Sequence, residues 1–381
     1  MADIDNQTGA PHFWFEQLGP QGERLDVLVV RATFDFATDG GRLTLAERQQ
    51  DIAFGDSYAG PVENEPLRAV IAEDGDLLPY KPGTDVVVVG HATAPHGQPT
   101  HCWTAGISVG KLQKRLRLHG PREFRKSVFG WKLVATEAVN RVPLDYRLSY
   151  GGCIDIPAAL MHDGSPSTLE YGANPAGCGW LPTVSELKHL PKPARQHVAK
   201  WIKAQSTVQA PQIDGPGESR SAPTKPASVS GLGPVARWWA PRVSKQGTYD
   251  EQWRKTRYPL LPEDFDSAYY QCAPADMVCT PHLNGDEAVT LYGLLPEERK
   301  MQLPGWRVVA VATRASGNAT VTFLLLDTVR FHLDVQQASL VWRAHFDDDD
   351  AVISIALGAT MARFERDDLP HPDGDDGGAA L

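Results

Sequence analysis

The sequence predicts a mainly β protein, a β-rich α+β chain of mostly antiparallel sheets with few short helices. Three observations lead there. Gly and Pro are frequent, at 34 and 30 of 381 residues, and are accompanied by 10 Trp; such a chain turns often instead of sustaining long helices. Segments in which apolar and polar residues alternate recur along the length, as half-buried strands require. Only residues 194–204 read as a helix, because Pro191 and Pro193 stop anything longer.

The elements follow in order. Residues 25–36 alternate Arg31, Thr33 and Asp35 with Ala32, Phe34 and Phe36, a strand pattern. A turn at Asp39-Gly40-Gly41 returns the chain through 42–45, and 67–71 reads as a further strand. Residues 85–90 are apolar without alternation, as in a strand buried on both faces. Residues 103–109 and 111–118 form the clearest hairpin, with Gly110 as its turn, and 128–137 is a short strand around Trp131, Leu133 and Val134. Strands are also expected at 287–292, 306–313, 319–328, 338–346 and 352–364, with a solvated turn at 347–350. No internal repeat of fixed period is present.

The length fits one large domain or two intimate ones. The pattern divides it into an N-terminal β-rich lobe, 1–190, a connecting segment, 191–240, a C-terminal β-rich lobe, 241–365, and a disordered acidic tail, 366–381. Within the connection, 205–233 is rich in Ser, Pro, Gly and Gln and nearly without large apolar groups. It is expected to be a mobile loop.

Lys+Arg 37 against Asp+Glu 47 gives a formal net charge of -10. Nucleic acid and anionic lipid both need clustered positive charge, so neither is an expected partner. A basic protein partner suits the balance better. The basic run 111–117 alternates with Leu and reads as the wet face of a strand. Five cysteines, at 102, 153, 178, 272 and 279, are odd in number and irregular in spacing. They point to reduced thiols in a cytoplasmic protein. The N-terminal residues have no basic and apolar signal pattern, and no stretch is long and apolar enough for a membrane helix.

Motif matches are few. Gly106-Ile107-Ser108-Val109-Gly110 has the letters of a nucleophile elbow, but that chemistry needs a strand, a sharp turn and a helix, and the following residues alternate like a strand. The same stretch is one residue short of a phosphate loop. His91, His96 and His101 with Cys102, and Cys272, Cys279 and His282, lack the paired spacing of structural zinc ligands. No cofactor or metal is expected. Glu263, Asp264 and Asp266 read as turn caps, and 347–350 lacks the surrounding pattern of a calcium loop. Cys178, between Gly177 and Gly179, is either a thiol nucleophile or a small residue in a crowded turn.

The most distinctive stretches are Tyr150-Gly151-Gly152-Cys153 and Asn174-Pro175-Ala176-Gly177-Cys178-Gly179-Trp180. They specify backbone shape and carry few groups for bond breaking. Others accompany them in order: Arg31-Ala32-Thr33-Phe34, Lys81-Pro82-Gly83-Thr84-Asp85-Val86, Gly90-His91-Ala92, Gly247-Thr248-Tyr249-Asp250, Pro262-Glu263-Asp264-Phe265, Leu326-Asp327-Thr328 and Val341-Trp342-Arg343-Ala344. From about residue 20 to 350 this order resembles a bacterial family of unknown function encoded beside type VI secretion spike genes. The resemblance implies a cytoplasmic, non-enzymatic adaptor or chaperone. Its partner would be a secreted effector, the VgrG or PAAR spike protein, or both. It transfers no catalytic residue. A partner groove is expected along the 174–180 turn and the Trp pair, with Asn174, Trp180, Trp238 and Trp239 as its residues; the alternative places those tryptophans in the core. The competing functions are a hydrolase using Ser108 or Cys178, and an effector or immunity protein of the same locus.

Overall fold

The computed structural model describes residues 2–38, 40–60, 66–218, 220–347 and 351–361. Strands dominate, most pairs are antiparallel, and among the described residues the α-helices are Lys192–Ala204, Ala240–Val243 and Glu251–Thr256. The first of these is the helix that the sequence predicts. Pro191 stands at its N-cap and Pro193 in its first turn, where a missing N–H breaks no helical hydrogen bond. Ala194 and Val198 bury one face of it.

A seven-stranded sheet forms the centre. Its order is His12–Leu18, Arg24–Asp35, Gln337–Asp347, Leu325–His332, Thr84–Val89 and Val278–Cys279, with Thr44–Leu45 added beside Arg24–Asp35. Neighbours are antiparallel except Thr84–Val89 and Leu325–His332, which run parallel. The expected lobes 1–190 and 241–365 are therefore not separate bodies. Strands from both ends of the chain alternate across one sheet. Local alternation marks a strand but does not name its neighbour, and here the neighbours are remote in sequence.

Leu28, Val30, Ala32 and Phe34 face the main core together with Leu340, Trp342, Val329 and Phe331. That core continues into a five-stranded sheet of order Ile213–Asp214, Leu112–His119, Cys102–Val109, Ala288–Tyr292 and Arg299–Gln302. The hairpin predicted at 103–118 lies at its middle, with Gly110 in the left-handed region at φ 56°. A four-stranded sheet, Asp3–Asn6, Val352–Thr360, Arg307–Arg314 and Ala319–Phe323, adds Val308, Ala310, Ile355 and Leu357. The strand expected over 319–328 is split at Leu324 between two sheets; of 67–71, Leu67 and Arg68 lie in a 3-10 turn, Pro66–Arg68, and Ile71 begins the short strand Ile71–Glu73.

The segment 205–233, expected as a mobile loop, is tied to three sheets. Thr207–Gln209 pairs with Arg122–Ser127, Ile213–Asp214 pairs with Leu112–His119, and Val88 N–H donates to Leu232 O at 2.8 Å. Ile213 and Leu232 are buried. Composition underestimates this stretch because its few apolar residues each meet an edge that another part of the chain provides. Residues 348–350 and the acidic tail 366–381 lie outside the described residues.

Candidate functional site

The four residues expected to edge a partner groove do not line one together; Trp180, with the 175–179 turn, Arg68 and Trp201, lines an open cavity. Asn174 is wholly buried, and its Nδ2 donates to Tyr146 O at 2.8 Å and Tyr150 O at 3.1 Å. Trp180 is buried in a cluster with Tyr150, Leu169 and the inner face of the Lys192–Ala204 helix. Trp239 is 1% exposed, donates Nε1–H to Leu67 O and meets Tyr146 edge to face. Trp238 is half-buried against Tyr58. Asn174 and Trp239 tie backbone segments together through their side-chain donors and Trp180 packs in a core cluster, so these three serve the fold.

The nucleophile candidates are poorly placed for attack. Ser108 lies in the middle strand of the five-stranded sheet, opposite Gln113 and Thr290. A sharp strand-to-helix turn is absent there, as the alternation at 111–118 already requires. Burial pushes the Cys178 thiol up to about 12, far from the thiolate form at neutral pH. His91 contacts Asp334, His96 contacts Glu297, and His282 contacts the Lys81 carbonyl. Among the described residues, no three His, Cys, Asp or Glu side chains gather as a metal-ligand set. Asp266 accepts from Ala268 N–H, the turn-capping role expected of it, whereas Asp264 accepts from Thr248 N–H and Oγ1–H on a loop 16 residues away.

The second face of the central sheet carries a layer of buried charge. Arg31 pairs with Glu73 at 2.7 Å and Asp76 at 3.2 Å, and Arg330 shares Glu73 at 2.6 Å. Arg343 pairs with Asp327 and donates to the Asp76 and Leu78 carbonyls. Lys81 reaches Asp85 at 2.7 Å and Thr328 at 2.9 Å, while Asp74 takes Arg242 and Arg237. Burial alone would raise the Asp74 and Asp327 carboxyls, but the neighbouring cations outweigh it and hold both below their ordinary value. Burial would likewise lower Lys81, and Asp85 outweighs it. Perturbed groups often mark active sites. Here each one has a partner of opposite charge: Asp327 meets Arg343 on the neighbouring strand, Lys81 meets Asp85, and Asp74 meets Arg242 and Arg237. Removing one member of such a pair typically costs about 3–5 kcal/mol, so these pairs account for the shifts as structural contacts.

The feature left without a structural task is a hairpin. Arg122–Ser127 and Gly130–Ala135 pair antiparallel, with Thr207–Gln209 on the other side of Arg122–Ser127. Its tip, Ser127-Val128-Phe129-Gly130, exposes Val128 by 93% and Phe129 by 99%. Turns favour Gly, Asn, Asp and Pro because those residues suit the backbone, and neither Val nor Phe offers that advantage. Gly130, at φ 113°, supplies the conformation the turn needs. Nor do the two side chains pack on the molecule. Exposed Arg125, Lys126 and Lys132 surround the tip. Lys126 Nζ donates to Lys203 O at 3.0 Å, joining the hairpin to the end of the Lys192–Ala204 helix. That helix carries Lys192, Arg195, Lys200 and Lys203 and no acidic residue. An acidic protein thus presents a basic projection with an apolar tip. The sequence pattern placed a strand here but not its protrusion; the apolar pair inside a two-residue turn was the available signal.

Among the described residues, no helix is long and apolar enough to cross a membrane. No curated protein and no solved structure matches the chain. A family of bacterial sequences matches over residues 21–343, which contain the central sheet's parallel pair, its buried charges and the hairpin. The chain belongs to that family, described as an uncharacterized protein conserved in bacteria (DUF2169).

Proposed function

We propose that the protein is a non-enzymatic adaptor or chaperone that binds a type VI secretion effector and helps load it onto the VgrG or PAAR spike. The observation that carries the binding part is the hairpin tip, where two large apolar side chains stand in solvent with no packing role. Aromatic residues exposed in this way commonly anchor protein partners. The secretion context comes from the ordered sequence motifs. A hydrolase acting through Ser108 or Cys178 draws no support from their surroundings, a mid-sheet strand and a half-buried thiol that desolvation shifts upward.

The test is affinity capture of the tagged full chain from cells expressing its neighbouring genes, with mass spectrometry of the retained proteins. A stoichiometric effector or spike protein is expected, and Ser108→Ala and Cys178→Ala should retain it equally. A chain that stays partnerless at low salt would overturn the reading.

A further inference from the structure

We propose that the open edge of the Gly130–Ala135 strand receives an extended segment of the partner in which acidic and apolar residues alternate. The inference rests on the adaptor reading and specifies the chemistry of what is held.

The argument starts from the hydrogen-bond phase. Thr136 N–H donates to Pro121 O at 3.0 Å, one step beyond the Ala135–Arg122 pair. In an antiparallel ladder the bonded and non-bonded pairs alternate. Lys132 and Val134 therefore point their backbone groups inward to Arg125 and Glu123. Trp131, Leu133 and Ala135 point theirs to the open side, and among the described residues no strand pairs there. This is an unfilled row of donors and acceptors, the site that strand addition uses.

Side chains then set what fits. Lys132 stands opposite Arg125 on one face of the hairpin, both exposed; Arg125 is also paired with Glu123 on that face, and Lys132 supplies the cation with no acidic side chain bonded to it among the described residues. The other face offers Trp131, with Lys126 Nζ 5.8 Å from its ring centre, and Leu133 opposite buried Phe124. An added strand presents its residues to the two faces in turn. Acidic residues would meet the Arg125 and Lys132 face, and apolar ones would meet Trp131 and Leu133. Val128 and Phe129 would close over one end. A second copy of this chain fits poorly where edge-to-edge pairing brings Lys132 against its own copy, because like charges across a ladder repel.

The experiment uses the wild-type complex from the capture described above. Backbone amide exchange of the bound and free protein should show Trp131, Leu133 and Ala135 slowed at least tenfold in the complex. A photo-crosslinker replacing Phe129 should map to an acidic, alternating segment of the partner. Lys132→Glu, at an exposed position, should weaken retention at least tenfold without changing the melting temperature. Unchanged exchange at 131–135 would overturn the proposal while leaving the adaptor reading intact. Crosslinks to a basic segment, to a second copy or to nucleic acid would do the same. Failure to retain any partner would remove both, through the earlier measurement.

Discussion

Asn174 shows what the glycine-rich turns are for. Its side chain bridges the Tyr146 and Tyr150 carbonyls, and its own carbonyl accepts from Gly152 and Gly177 N–H. A Cβ on Gly177 would stand 2.5 Å from Asn174 Nδ2 and 2.7 Å from Ser149 O, so the chain passes there only as glycine. Asn174→Ala should lose about 1–3 kcal/mol, read as a lower melting temperature, because the Tyr150 carbonyl loses the Asn174 donor and the Tyr146 carbonyl keeps only Ser149 N–H. A second prediction concerns His332. Burial, with Arg330 beside it, lowers this imidazole from its usual 6.5 to about 4. Between those values the unfolded chain takes up the proton and the folded one does not. Stability is therefore full above about 6.5 and falls as pH drops toward 4. Urea midpoints should decline across that window, and His332→Gln should make the decline shallower, leaving the part due to His119, which burial also lowers to about 4. At this scale the sequence announced that the 150–153 and 174–180 stretches specify shape. It did not say that Asn174, Trp180 and Trp239 face inward, since Asn and Trp serve cores and surfaces alike.

Elements differ in how much of them is local. The 103–118 hairpin was legible because its pairing, turn glycine and apolar face are all near neighbours in sequence. The Lys192–Ala204 helix was legible from two prolines and one apolar stripe. The 205–233 segment was not, because its order is supplied by edges elsewhere. Leu232 is its clearest anchor, 1% exposed and accepting from Val88 of the central sheet. Leu232→Ala should cost about 2–5 kcal/mol in a denaturant titration; a change under 0.5 kcal/mol would show that the segment does not hold the core. The hairpin at 122–135 was legible as a strand around Trp131, but not as a projection. Exposure depends on the absence of a neighbour, and alternation cannot report that.

For the molecule as a whole, the sequence conveyed class but not connectivity. A β-rich, mostly antiparallel chain was readable from alternation and turn residues, whereas two successive lobes proved to be one interleaved sheet. A fragment ending at 190 should therefore fail to fold. Arg24–Asp35 would lack the Gln337–Asp347 strand, and Thr84–Val89 would lack Leu325–His332. Circular dichroism of that fragment should show no cooperative melt; a sharp transition would restore the two-lobe division. The parallel pair of Thr84–Val89 with Leu325–His332 also sets a timetable. A ribosome adding roughly 5–20 residues per second needs on the order of 10–50 s to travel from one of these strands to the other. Throughout that interval the nascent chain holds strands whose neighbours have not yet been made. The protein that we propose as a helper of other chains is, during its own synthesis, one that has to wait.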